Sequence, residues 1–186
     1  MRRVVLTLLA VAFLVSTANS RANAQSGAAQ EDKRMHVETT FDVVVQAPYE
    51  ETAKLFSPEG ERVWAGENWD PQFLHPLPGK DTQGAVFTIS HGSIKAVWLI
   101  AQHDLEAKHF QYVYFIADVM VTTIDVQFRV VDLGTTQVTV KYARTSVSPQ
   151  GDSHVLSMSE SDRAACKEWQ AAIDEYLSAR KTGTRN

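Results

Sequence analysis

Between Met120 and Val130 the even positions Met120, Ile124, Val126, Phe128 and Val130 are apolar, with Thr122 among them. The odd positions Thr123, Asp125, Gln127 and Arg129 are polar. A period of two is the signature of an extended strand, and a clean dry/wet split marks an antiparallel sheet with one solvated face. Such a strand is unstable alone, because its dry face has to be covered by another layer.

With this strand, taken over 119–131, the strands predicted in this part of the chain are 85–91, 94–103, 109–117, 119–131 and 137–147. They are punctuated by turn-forming residues at His91-Gly92-Ser93, Glu106-Ala107-Lys108 and Asp132-Leu133-Gly134. Links this short favour antiparallel neighbours. An earlier alternation, Met35, Val37, Thr39, Phe41, Val43 and Val45 against His36, Glu38, Thr40 and Asp42, gives a strand over 35–45. Pro48 with Glu50 and Glu51 then opens a short helix ending near Ser57-Pro58. A second short helix is expected around 59–65, followed by irregular chain over 66–80. In that stretch Trp64, Trp69, Phe73 and Leu77 are too apolar for a solvated loop and are expected to pack.

The cover for the sheet is found at the end of the chain. Ala165, Cys166, Trp169, Ala172, Ile173, Tyr176 and Leu177 recur at helical spacing and form one stripe, with Arg163, Lys167, Gln170, Asp174 and Glu175 opposite. Ser157 and Glu160 have capping-box spacing, so a helix over 155–181 is predicted. The fold class is therefore α+β, a curved antiparallel sheet wrapped around a long C-terminal helix.

The start of the sequence has a different character. Arg2 and Arg3 precede an apolar run over 4–15, and Ala22-Asn23-Ala24 has the small-x-small pattern of a peptidase site. This predicts a signal peptide over 1–24, removed before Gln25. The run is too short to span a ~30 Å hydrocarbon core, so no stable membrane span is expected after cleavage. The protein is expected to be exported, to the periplasm or the medium. Residues 25–34 are expected to be a disordered lead-in, 35–181 the folded domain and 182–186 a polar tail. The formal net charge of −4 becomes more negative once Arg2, Arg3 and Arg21 leave with the leader, because every acidic residue lies at Glu31 or beyond. That argues against nucleic acid as a partner. Cys166 is the single cysteine, so no internal disulfide forms, and its place on the apolar stripe suits a small buried side chain.

Few residues form a catalytic pattern. His36, His75, His91, His103, His109 and His154 show no i,i+4 metal-binding pair, and no phosphate-cradling glycine loop occurs. No metal or cofactor is expected. The most concentrated unusual feature is Glu59, Glu61 and Glu67 beside Trp64 and Trp69. A carboxylate buried against tryptophan has a raised pKa and is fit for general acid work. Alternatively, the tryptophans plug the sheet edge while the glutamates cap or pair with Arg62.

The segment Leu55-Phe56-Ser57-Pro58-Glu59-Gly60-Glu61-Arg62-Val63-Trp64, followed by Trp69-Asp70-Pro71-Gln72-Phe73 and His75-Pro76, together with the element order over 37–177, resembles the START-like, helix-grip (SRPBCC) superfamily, in particular bacterial members of unassigned role. The resemblance implies a cavity between the sheet and the long helix that holds a small hydrophobic or amphipathic molecule. The residues placed there are Trp64, Trp69, Phe73, Trp98, Tyr112, Tyr114, Phe128, Tyr142, Arg144 and Trp169. Taken singly, each aromatic reads as core filling; as a group they suit a pocket wall with tyrosine hydroxyls orienting a ligand. Arg144 shares parity with Val138, Val140 and Tyr142, so it either points inward and needs an anionic partner or emerges into water. Two other readings stand beside binding. One is a cofactor-independent cyclase or hydratase using His91, His103, Tyr112 and Glu61. The other is a protein-docking module that exposes Trp64 and Trp69 as a patch.

Overall fold

A computed structural model describes residues 33–92 and 94–183 of the chain. The expected leader, most of the lead-in and the last three residues lie outside them. The elements run in the order β1 (His36–Val45), α1 (Tyr49–Leu55), α2 (Pro58–Glu61), β2 (Gln72–His75), β3 (Val86–His91), β4 (Ile94–Asp104), β5 (His109–Ile116), β6 (Met120–Asp132), β7 (Thr135–Ser146) and α3 (Pro149–Gly183). All seven strands form one antiparallel, curved, open sheet in the order β1-β7-β6-β5-β4-β3-β2. The α+β architecture of sheet and long C-terminal helix is thus as the alternation and the stripe require. Among the described residues, no helix is long and apolar enough to cross a membrane.

The strand pattern acts as the physics demands. In β7, buried residues alternate with half-buried ones along its whole length, and Val138 and Val140 are wholly buried. In β6, Met120, Thr122, Ile124, Val126 and Phe128 face inward. Burying a side chain of this size stabilises by roughly 1.5–3 kcal/mol, so the face rather than any one contact sets the register.

Three local readings are corrected. The strand β2 lies within the stretch expected to be irregular: Phe73 pairs with Phe87 on β3 and their rings sit 5.4 Å apart. Four residues between Pro71 and Pro76 are too few to display a period. Leu77, expected to pack, is 75% exposed. The long helix starts at Pro149, so Ser157 lies inside it and caps nothing. Ser148 takes that role, with its Oγ accepting from Gly151 N at 3.1 Å and proline following it at the first helical position. A side chain at Gly151 would put its Cβ 2.0 Å from the Val119 carbonyl oxygen, so only glycine lets this first turn lie against the sheet.

Along α3 the inward positions are Gly151, Val155, Ser159, Asp162, Ile173 and Leu177. Gln170, read as part of the solvated face, instead closes the open side of the edge strand β1. Its amide accepts from Val44 N at 2.9 Å and donates to Val44 O at 2.8 Å. Cys166 is half-buried rather than a core hydrophobe, and its thiol donates to Asp42 O at 3.1 Å. The helix thus satisfies backbone groups that an edge strand otherwise offers to another chain.

Candidate functional site

The segment between α1 and β2 builds one wall of a cavity. Ser57 Oγ accepts from Gly60 N at 3.2 Å, and Pro58 fills the first position of α2. This short turn folds back tightly: a Cβ at position 60 would lie 1.6 Å from the Lys54 carbonyl oxygen. The next residue, Glu61, is thereby turned inward, and Trp64 follows on the same side. Trp64 is 7% exposed, and its indole N–H donates to Leu55 O at 2.7 Å. Trp69 N–H donates to Pro58 O at 2.8 Å. Replacing Gly60 with alanine is expected to destabilise the protein by about 1–3 kcal/mol, because backbone has to move to admit the methyl group. Chemical denaturation measures this, and an unchanged midpoint would show that the turn relaxes freely.

The cavity measures about 270 Å³ and lies between this wall, the inner face of the sheet and α3. It is lined by Trp64, Trp69, Trp98, Tyr112, Tyr142 and Trp169 from the sequence-derived set, and by Phe56, Pro58, Glu61, Ala65, Phe87, Ile124, Val126, Glu168 and Ala172. The rings are interlocked. Trp64 meets Trp169 edge-on at 5.2 Å, Trp69 meets Trp98 edge-on at 5.5 Å, and Trp98 stacks on Tyr114 at 4.3 Å. The Trp98 indole N–H is buried and has no hydrogen-bond partner among the described residues.

Glu61 is the unusual group. It is closely surrounded by protein yet keeps some accessible surface, because it faces the cavity. Among the described residues its carboxylate has no hydrogen bond and no ion pair. Loss of hydration raises its pKa well above 4.5, and the charge of Asp81 adds to the shift. The two other glutamates of the cluster behave differently. Glu59 pairs with Arg62 at 3.0 Å, and Glu67 is exposed. Glu59 thus pairs with Arg62, as one reading of the cluster expects, while Glu61 stands apart from that pairing and faces the cavity.

Two of the three tyrosine hydroxyls in the expected set are already engaged. Tyr112 donates to Phe56 O at 2.7 Å, and Tyr114 accepts from Arg144. Among the described residues the Tyr142 hydroxyl has no hydrogen-bond partner, and burial holds its pKa well above 10, as it does for Tyr112. Arg144 points inward and has its anionic partner. Its Nε donates to Asp162 Oδ2 at 2.7 Å and its second nitrogen to Oδ1 at 2.6 Å, while Thr122 Oγ1 accepts at 3.2 Å. Burial works against the guanidinium charge. Asp162, with Tyr114 and Tyr142 nearby, outweighs that penalty and shifts the pKa upward.

The structure divides the sequence-derived set. Six members line the cavity and four do not. Phe73 packs on Phe87; Phe128 sits among Tyr49, Phe56 and Phe110; Tyr114 and Arg144 belong to the buried polar cluster with Asp162. The residues weighed for acid–base chemistry do not converge either. His91 is exposed at the end of β3. His103 stacks on Phe110 at 4.2 Å and lines a separate depression with Tyr49 and Asp81, and burial lowers its pKa. Only Glu61 and Tyr112 share the cavity, and they form no hydrogen bond with one another. Trp64 is buried and Trp69 half-buried, so they are not the exposed patch that a docking module requires. Among the described residues, no group of three or more His, Cys, Asp or Glu side chains is arranged to hold a metal ion.

Sequence reasoning missed Phe56, Phe87, Ile124, Val126, Glu168 and Ala172 as wall residues. The signal for Ile124 and Val126 was present, since they share parity with Phe128 on one strand. Glu168 adjoins Trp169 but reads as solvated, and it is exposed: the cavity reaches solvent beside α3.

No family model and no curated protein sequence matches the chain. Solved structures do. Norcoclaurine synthase from Thalictrum flavum, in complex with dopamine and hydroxybenzaldehyde, superposes with a TM-score of 0.59 at 9% identity, over 87% of this chain and 98% of that one. Ara h 8.0201 gives 0.55 at 12% identity, over 77% and 99%. A protein from Thermobifida fusca gives 0.54 at 17% identity, over 75% and 92%. At such identities the likeness concerns architecture alone, and it agrees with the strand order and the gripped helix. The chain has the helix-grip fold of these structures, a curved antiparallel sheet around a long C-terminal helix.

Proposed function

We propose that the protein binds one small hydrophobic or amphipathic molecule in the cavity between sheet and α3. The observation that carries this reading is the cavity itself: about 270 Å³ left open amid eight aromatic rings that ordinary core packing would close up. The volume is near the lower end for ligand pockets, which favours a molecule of one or two rings. The leader-like start of the sequence supports an encounter with that ligand outside the cytoplasm.

The neutral dye N-phenyl-1-naphthylamine is expected to bind with one-to-one saturation and to quench tryptophan emission. Ala172→Phe, which fills the cavity from the α3 side, is expected to lower that affinity at least about tenfold, since a filled site has no room to relax. Non-saturable binding, or binding indifferent to A172F, would place the dye on the surface and end this reading.

A second reading is favoured by one specific observation, the unpartnered Glu61 carboxyl with its raised pKa. A carboxyl whose pKa is raised by burial is able to donate a proton to a bound molecule. Solved norcoclaurine synthase, with the same fold, is an enzyme holding two small molecules. Among the described residues Glu61 has no hydrogen bond to a second titratable group, and the cavity remains the stronger observation, so binding is the better supported function.

A further inference from the structure

The cavity has a sign. Of its lining residues only Glu61 and Glu168 carry formal charge, and both are acidic; no lysine, arginine or histidine contributes. The buried cation Arg144 lies over the ring of Tyr142 at 4.5 Å, and its Nε and one terminal nitrogen are bonded to Asp162. The remaining surface is largely aromatic, with Trp64, Trp69, Trp98 and Trp169 in the wall. Ring faces are the negative ends of their quadrupoles, and tryptophan is the strongest of them toward a cation.

Three kinds of guest then differ in what they do to Glu61. An anion adds like charge to a poorly hydrated carboxylate. A neutral hydrocarbon removes the remaining water and leaves the carboxylate with no partner. An organic cation supplies the missing counter-charge and places its alkyl groups against the indoles. Resting on the reading of the cavity as a binding site, we propose that its ligand is an organic ammonium ion carrying an apolar or aromatic body, held by Glu61 and the tryptophan wall.

Other groups face Glu61. Glu168 of α3 lines the same cavity, Asp81 acts on Glu61 through its charge, and the phenols of Tyr112 and Tyr142 stay neutral because burial raises their pKa. None of these supplies positive charge. A bound cation therefore lowers the Glu61 pKa from its raised value, and ammonium affinity rises with pH until Glu61 is ionised in the free protein.

The test uses an isosteric pair, (4-hydroxyphenyl)trimethylammonium and 4-tert-butylphenol, which differ by nitrogen for carbon. Each is titrated against the intact protein by tryptophan fluorescence and calorimetry. The ammonium compound is expected to bind at least about tenfold more tightly than its carbon isostere. Glu61→Gln is expected to remove most of that preference and the pH dependence, while 4-tert-butylphenol binds as before and shows that the variant is folded. Equal or tighter binding of 4-tert-butylphenol to the unaltered protein overturns the charge selectivity and leaves the cavity reading standing. Failure of both compounds to bind overturns both. An ammonium preference that survives E61Q unchanged also refutes the proposal, because the carboxylate would then play no part.

Discussion

Replacing Asp162 by alanine is expected to cost about 3–5 kcal/mol of stability, because it strands a charged guanidinium in the interior. Arg144 is 2% exposed and Asp162 6% exposed, so solvent does not screen the pair. Their contact is bidentate, the geometry in which arginine recognises carboxylate best. Arg144 lies in β7 and Asp162 in α3, so the pair also ties the helix to the sheet at one point along its length. Removing both charges tells a different story from removing one. The double replacement Arg144→Met with Asp162→Leu is expected to recover most of the loss, since a buried ion pair gains little over apolar packing. It does not recover all of it, because Thr122 and Tyr114 lose the donor they now share. Urea denaturation of the three variants decides the matter. A loss below about 1 kcal/mol for D162A would mean that Arg144 reaches water by a small shift, and the tie between helix and sheet would then be weak.

Trp64→Ala is expected to be comparably damaging, at about 3–5 kcal/mol. The ring packs between Phe56, at 5.9 Å, and Trp169, at 5.2 Å. Its loss empties that space and deprives the Leu55 carbonyl of its donor. Trp64 also belongs to a shallow outer depression that includes Arg62, Glu67 and Asp70. The alanine variant therefore joins the cavity to that depression and floods it. Dye binding is expected to fall together with stability, whereas Trp64→Phe keeps most of both. Should W64A bind the dye normally at temperatures where it is folded, this wall would not be needed to hold a ligand.

The sheet was legible because each long strand carries its own record of what is wet and what is dry. β6 needed no other part of the chain to be recognised. The shorter pieces carry too little pattern: Gln72–His75 shows its identity only through pairing with β3. The start of α3 precedes the apolar stripe, and the fitness of Gly151 for its first turn shows only in the close approach of Val119. In the cavity, the aromatic wall could be guessed because large rings on one strand face have to go somewhere. The partner of Arg144 could not. Asp162 lies on the inward face of α3 with Val155 and Ile173, but its position alone does not name the cation it meets, which comes from a strand of the sheet. Glu61 was singled out for its neighbours, but its isolation is a property of three walls meeting.

The closing of β1 by Gln170 and Cys166 has a consequence for the order in which the domain can be completed. β1 is the first of the strands to be synthesised, yet its partner β7 is among the last elements made. His36 bonds to Thr145, 109 residues later, and Val44 to Gln170, 126 residues later. Until those segments emerge, the earliest strand has neither a neighbour nor a guard. Contacts this distant along the chain slow folding, and an unfinished chain exposes a dry face and bare backbone to other chains. A product that stops before residue 166 would keep every strand and still lack the helix that closes β1's outer rim, so its natural fate is association through that rim. Cys166 and Gln170, made after every strand of the sheet, are thus the residues that cover its first-made rim.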